Sequence, residues 1–359
     1  MEKLKVLSLF SGIGAFEKAL EREKIPHEVV AYCEIDKFAS KSYSTIHNIP
    51  ESLNLGDISK ADTSDIPECD LVTYGFPCQD ISVAGLQKGI KAGETRSGLL
   101  YEALRIIETK KPKYAIAENV KNLVGKRFKG DFEQLLALLD DMGYNSYWQV
   151  LNAKDYGIPQ NRERVFVISI RKDIDTKTFS FPEKQKLTLC LRDMLEETVD
   201  SKYFLTGKYD SIVKVNDNYS LLQGGVFGGF ESTRRVYETT YVAPTIPTCG
   251  GGGNTEPKII ERACISSKIP EWRQRGLIYS DNALAPPLLS TDYKTPKLIS
   301  DTSYHVRKLT PKECWRLMGF DDTDIDKCSS VGMSNTQLYK QAGNSIVVNV
   351  LQAIFRALF

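Results

Sequence analysis

Between Lys3 and Ile170 the sequence alternates strand-like runs with segments of helical periodicity, and this alternation leaves few folds open. The runs are Lys3 to Phe10, Val29 to Cys33, Leu71 to Tyr74, Tyr114 to Ala117, Tyr144 to Leu151 and Val165 to Ile170. Helical patterns fall between them at Ala15 to Lys24, with Phe16, Ala19 and Leu20 on one face, at Leu99 to Thr109 and at Phe132 to Met142. The pattern predicts an α/β fold with a doubly wound, mostly parallel sheet. Such sheets bind ligands beyond the carboxyl ends of their strands. Residues just after each run are therefore the first candidates for function.

After the first run comes Ser11-Gly12-Ile13-Gly14, a glycine turn opening a helix. Such a turn lets a ligand approach the backbone and aims helix N–H groups at it, although many α/β proteins turn this way for packing alone. The second run ends in Glu34-Ile35-Asp36, and an acid there is placed to accept hydrogen bonds from ribose hydroxyls. The third breaks at Gly75 and presents Cys78 on the following loop, with Pro77 fixing the backbone beside it. A cysteine in isolation is usually a small buried hydrophobe; a thiolate at a sheet edge is a strong nucleophile. The fourth ends in Glu118-Asn119-Val120, which delivers a carboxyl group to the same kind of position.

Pro77-Cys78-Gln79 after one strand and Glu118-Asn119-Val120 after the next make the chain resemble the DNA (cytosine-5) methyltransferase family. The resemblance runs from about Leu7 to Val350, apart from a middle stretch. It implies that Cys78 is the nucleophile, that Glu118 acts on the cytosine ring, and that S-adenosyl-L-methionine is the cofactor. By the same resemblance the cofactor-binding residues are Phe10, Ser11, Gly12, Ile13, Gly14, Glu34, Ile35, Asp57, Ile58, Pro77, Leu99, Asn344, Ser345 and Ile346. For Asp57, after Gly56, the sequence alone favours a solvated turn.

The segment from Gln79 to Ser97, with Gly85, Gly89 and Gly93 and the cations Lys88, Lys91 and Arg96, reads as a mobile lid. Further on, Gln160-Asn161-Arg162-Glu163-Arg164 leads into a strand, so Arg162 and Arg164 alternate and face one side. Two such arginines usually form a solvated ion-paired edge. The resemblance favours a catalytic pocket instead, with Arg164 near the cytosine and Arg162 beside it. Asp321 departs from the family pattern, which often has proline there, and Ile81 stands where an aromatic residue is commoner.

From about Lys172 the chain turns to short polar and aromatic pieces with many glycines, the composition of a separate, smaller, β-rich domain. Within it Val236-Tyr237 to Ile259-Ile260 is echoed by Ile278-Tyr279 to Leu298-Ile299, which predicts two related β units. By position the family places its target-recognition domain here. Arg234, Arg235, Arg273 and Arg275 are the cations that could reach base edges. The expected division is a catalytic and cofactor domain over 1–182, a target-recognition domain over 183–330, and a segment over 331–359 that returns to the catalytic domain. Thr310-Pro311 opens a helix that Gly319 ends.

With 359 residues, 42% hydrophobic and 26% charged, the chain has the composition of a globular enzyme. Its apolar runs are too short to span a bilayer, so no membrane role and a cytoplasmic location are expected. Eight cysteines without a Cys-x-x-Cys pair and only three histidines predict free thiols and no metal. A net charge of +1 does not decide for or against DNA, since a local basic face is enough to follow phosphates. The reading is therefore a monomeric enzyme acting on double-stranded DNA, in a restriction-modification, orphan or phage modification setting. A cognate restriction endonuclease acting on the same site is left open as a partner. The alternatives are a transfer-RNA cytosine-5 methyltransferase on the same scaffold and a catalytically silent DNA-binding protein. A nicotinamide oxidoreductase would explain the glycine turn and Glu34 but not the three motifs together.

Overall fold

The computed structural model describes residues 3–77, 96–205, 211–214, 219–223, 231–248, 256–262, 278–280, 298–300 and 304–359. The chain divides into two compact units, one of Met1–Glu196, Val242–Thr255 and Pro311–Phe359, the other of Glu197–Tyr241 and Glu256–Thr310. The boundaries at 183 and 330 expected from sequence differ from this division. Residues 183–196, 242–255 and 311–330 fall in the first unit.

The first unit is built on six strands, β1 (Leu4–Leu9), β2 (His27–Cys33), β3 (Leu71–Tyr74), β4 (Tyr114–Val120), β5 (Tyr144–Asn152) and β6 (Glu163–Arg171), ordered β2-β1-β3-β4-β6-β5. Helices α1 (Ala15–Arg22), α2 (Lys37–His47), α3 (Leu100–Lys110) and α4 (Lys129–Asp141) alternate with them. β1 runs parallel to β2 and β3, and β3 to β4, while β6 runs antiparallel to β4 and β5. All four residues of β3 are buried, as expected of a strand covered on both faces. Leu7, Leu9, Val72, Tyr74, Ala115, Ala117 and Val165 join Leu104, Ile107, Phe132 and Leu135 in one core cluster.

The chain leaves β1 toward β2 on one side and returns to β3 on the other. That places the topological switch point between β1 and β3, where such sheets bind ligands. Leu9 pairs with Cys33 and with Tyr74, and Tyr74 with Ala117. The next residue on each strand, Glu34, Phe10, Gly75 and Glu118, therefore forms a row along one edge of the sheet. Because β6 is antiparallel, its first residues reach that same edge, with Arg164 opposite Val120.

The second unit holds a five-stranded sheet of β7 (Ser211–Lys214), β8 (Tyr219–Gln223), β9 (Arg235–Glu238), β10 (Lys258–Arg262) and β13 (Tyr304–Lys308), ordered β13-β10-β9-β8-β7. A short helix, α5 (Glu231–Arg234), precedes β9, and β11 (Ile278–Ser280) pairs with β12 (Leu298–Ser300). Leu205, Val236, Ile260 and Val306 form its small core. The sequence echo corresponds to two parallel pairs, β9 with β10 and β11 with β12. Their registers differ by one residue: Tyr237 faces Ile259, whereas Tyr279 faces Ile299.

Four helices complete the first unit: α6 (Pro311–Leu317), α7 (Asp322–Ser330), α8 (Asn335–Asn344) and α9 (Val348–Leu358). Gly319 adopts φ +81 just after α6, the left-handed stop expected of glycine. Asp321, the departure from the family pattern, caps α7 in a capping box and pairs with Lys18 and Arg22 of α1. Helix α9 packs beside α1 through Phe355 and Phe16 and through the Arg356–Glu23 ion pair. Among the described residues, no helix is long and apolar enough to cross a membrane.

Candidate active site

The glycine turn that follows β1 needs left-handed backbone: Phe10, Gly12 and Gly14 adopt φ of 55, 57 and 82. Two hydrogen bonds anchor it to the end of β2, from Ser11 N–H to the Cys33 carbonyl (3.1 Å) and from Gly12 N–H to Glu34 Oε2 (2.9 Å). No side chain caps α1 at Gly14, which leaves its first-turn N–H groups for a ligand. The other Glu34 oxygen accepts from Asp36 N–H at 2.7 Å. Burial pushes the Glu34 carboxyl above its usual range, while these two N–H donors and Lys340 pull it back.

Ile35, beside it, is 76% exposed. An apolar side chain left open at the switch point is a surface on which a flat ligand could pack. Asn54 is a residue that sequence reasoning missed. Its Oδ1 accepts from Glu34 N–H (3.0 Å) and Gly56 N–H (2.9 Å), and its Nδ2 donates to the Glu34 carbonyl (2.9 Å). It thus ties the acid to the turn that carries Asp57. Asp57 itself caps a single turn by accepting from Ser59 (3.1 and 2.8 Å), and Ile58 is buried in the core.

Glu118 extends from β4 to the neighbourhood of Gly75. A Cβ added to that glycine would meet Glu118 Oε2 at 3.7 Å and the Ile346 side chain at 3.8 Å. Arg164 Nε lies 3.1 Å from Glu118 Oε1, with both side chains largely buried. Burial pushes the Glu118 carboxyl upward, and the positive charges of Arg164 and then Arg162 pull it down. Asn119, one residue on, turns inward. Its Nδ2 donates to the Phe76 carbonyl at 3.0 Å and its Oδ1 accepts from Val120 N–H at 2.8 Å. The strand bearing Glu118 therefore grips the loop two residues before Cys78. Cys78, and the lid expected from Gln79 onward as far as residue 95, lie outside the described residues.

The two arginines separate in their tasks. Arg164 faces Glu118. Arg162 is only 4% exposed, and its guanidinium donates to the carbonyls of Ile246 (3.3 Å), Gly343 (3.0 Å) and Ser345 (2.7 Å). These contacts are those of a clamp on backbone. Gln160, fully buried, donates to the Leu317 carbonyl at 2.7 Å and accepts from Ile246 N–H at 3.3 Å. Together these side chains pin residues 243–246 and the end of α8. Ser345 and Ile346 are buried there and Asn344 is exposed. Leu99, before α3, packs against the core, and Pro77 is half-buried.

The arrangement sets a buried carboxyl with a cationic partner beside the cysteine-bearing loop, and next to it a turn suited to a nucleoside with a charged tail. Comparison with known proteins gives the family. The family model described as C-5 cytosine-specific DNA methylase matches residues 4–359. The chain is 37% identical over 434 aligned positions to the orphan methyltransferase M.SPBetaI of Bacillus phage SPbeta, covering 100% of this chain and 98% of that protein. It is 37% identical over 408 positions to the type II methyltransferase M2.ScrFI of Lactococcus lactis subsp. cremoris, covering 99% of each. Its fold matches the Entamoeba histolytica methyltransferase EhMeth with a TM-score of 0.69 at 17% identity, over 100% of this chain and 98% of that one. The chain therefore belongs to the C-5 cytosine-specific DNA methylase family and is a DNA (cytosine-5-)-methyltransferase.

Proposed function

We propose that the protein flips a target cytosine out of a specific double-stranded DNA sequence and methylates its C5 through a covalent Cys78–C6 adduct, with S-adenosyl-L-methionine as cofactor. The observation that carries this reading is the meeting of Glu118 and Arg164 beside Gly75 at the end of β3, with Asn119 holding the Phe76 carbonyl two residues before Cys78. Cytosine C5 is a poor nucleophile until something adds at C6. The Cys78 thiolate supplies that addition, and the displaced electron pair moves onto N3 as Glu118 gives it a proton. Burial favours the protonated Glu118 that this step needs. As C5 gains the methyl group N3 returns its proton to Glu118, and loss of the C5 proton to water then forms the C5–C6 double bond and expels the Cys78 thiolate.

The cofactor, when bound, supplies an electrophilic methyl carbon to C5. The residues at the switch point suit it. Glu34 can accept from ribose hydroxyls, Ile35 can pack on the adenine, and the uncapped start of α1 can meet the carboxylate. Ser11 to Gly14 would approach it through their backbone, and Ile346 reaches the same glycine, Gly75, as Glu118. A base inside a duplex cannot reach this edge, and extruding it costs roughly a few kcal/mol, offset by protein contacts. The second unit is the part assigned to reading the DNA sequence, and a monomer suffices for all these steps.

The test is trapping on duplex DNA containing 5-fluorocytosine with S-adenosyl-L-methionine present, followed by denaturing electrophoresis and peptide mapping. Fluorine at C5 blocks the final elimination, so a stable adduct on Cys78 is expected. An adduct on 5-fluorocytosine RNA alone would move the substrate to transfer RNA, and none on either would overturn the reading.

A further inference from the structure

The glycine turn is anchored to β2 through Ser11 and Gly12, and Gly14 N–H bonds back to the Ser11 carbonyl at 3.0 Å, but these bonds leave the Ile13 carbonyl to be held from elsewhere. Its partner is on α2. His47 Nε2 lies 3.1 Å from the Ile13 carbonyl oxygen. A carbonyl only accepts, so Nε2 must carry the hydrogen. The imidazole also occupies the space beside Gly14: a Cβ built there would lie 2.1 Å from His47 Nε2, 2.6 Å from Cδ2 and 3.0 Å from the Tyr43 ring.

The ring is supported from behind. Tyr43 contacts His47 at 5.1 Å between centroids and stacks at 4.3 Å on Tyr32 of β2, so a chain of rings runs from the sheet through α2 to the turn. We propose that His47 is a positioning residue for cofactor binding: its ring N–H holds the Ile13–Gly14 peptide in the orientation that aims the start of α1 at the cofactor. The proposal rests on the reading of residues 10–14 as the cofactor turn.

Burial holds the His47 ring below the usual histidine range, while Glu17, Glu21 and Asp324 pull it back up. Glu17, on α1, is 1% exposed. Protonation at low pH adds a hydrogen to Nδ1 and leaves the one on Nε2 in place. The brace therefore works in both charge states and fails only when the donor is removed.

The test is calorimetric binding of S-adenosylhomocysteine to the full chain, with wild type, His47→Phe, which keeps a ring without a donor, and His47→Gln, which restores a donor of similar reach. His47→Phe is expected to bind the probe about tenfold more weakly, the effect of one lost hydrogen bond to a buried carbonyl. His47→Gln should recover most of that loss, and neither should change duplex DNA affinity. Probe binding by His47→Phe at wild-type strength would overturn the proposal. If the variants fold poorly, the wild-type ring still decides it: nitrogen-15 spectra should show the Nε2–H tautomer, and the Nδ1–H tautomer would overturn the brace. A wild-type chain that does not bind the probe overturns the cofactor reading itself, an outcome separate from either of these.

Discussion

Asn119→Asp should uncouple the Glu118 strand from the loop that leads to Cys78 while changing the side chain by little more than one amide nitrogen. In the native protein Asn119 is buried, donates to the Phe76 carbonyl at 3.0 Å and accepts from Val120 N–H at 2.8 Å. Aspartate keeps the acceptor for Val120 but turns an oxygen toward the Phe76 carbonyl, where no hydrogen is left to share. An unpaired buried carbonyl costs about 1–3 kcal/mol, and the new buried carboxylate adds a desolvation cost of its own. A total of about 2–4 kcal/mol is expected in denaturant unfolding. A loop carrying the nucleophile and displaced by about 1 Å costs roughly 100-fold in rate. The assay is the rate of adduct formation on 5-fluorocytosine duplex DNA, read beside S-adenosylhomocysteine binding, which should not change. The defect should shrink as pH falls, because a protonated aspartic acid can donate again. A lowered unfolding midpoint with wild-type trapping would refute the reasoning, since the bond would then serve folding alone.

Other perturbations give outcomes of different kinds. Glu118→Gln should abolish turnover in a methyl-transfer assay while leaving S-adenosylhomocysteine binding intact. Arg164→Met removes a positive charge that draws Glu118 down, so Glu118 should keep its proton to higher pH. The alkaline limb of kcat/KM should then move upward, and a limb that stays or moves down would count against Glu118 as the acid. Lys18→Met leaves Asp324, which is buried, without its cation at 3.0 Å; a loss of about 3 kcal/mol and a thermal midpoint lower by roughly 6–12 °C are expected. Arg356 holds the Glu23 carboxyl below its usual range. The stability it lends is present above the unfolded-state value and is lost as pH falls through the folded one. Because Arg356 is more than half exposed, Arg356→Met should remove only about 0.5–1 kcal/mol of that acid-dependent stability in denaturant titrations.

The row of Phe10, Glu34, Gly75 and Glu118 was legible because each lies at or just past the visible end of an apolar run, and parallel pairing aligns such ends. Arg162 was legible only in part. A spacing of two gives the side it shares with Arg164, but its partners are carbonyls of residues 246, 343 and 345, and carbonyls leave no trace in sequence. Asn54 and His47 were invisible for the same reason, since each acts on backbone contributed by another segment. Residues 242–255 were assigned to the smaller domain on composition. Ala243 and Ile246 carry the same turn-rich signature as their neighbours, and only pairing with Pro159 to Arg162 places them in the first unit. Asp321 was noted as a departure, but its pairing with Lys18 and Arg22 needed α1 and α7 to be seen side by side.

The packing of α9 against α1 has a consequence for how the protein is made. Glu23 and Arg356 are 333 residues apart in the chain. At ribosomal speeds of roughly 5–20 residues per second, α1 waits roughly 15–70 s for its partner. During that interval Phe16 and its neighbours stand without their cover, and Arg162 lacks the carbonyls of Gly343 and Ser345. A nascent chain is therefore both a client for chaperones and an enzyme in waiting, unable to mark DNA until α9 has been translated.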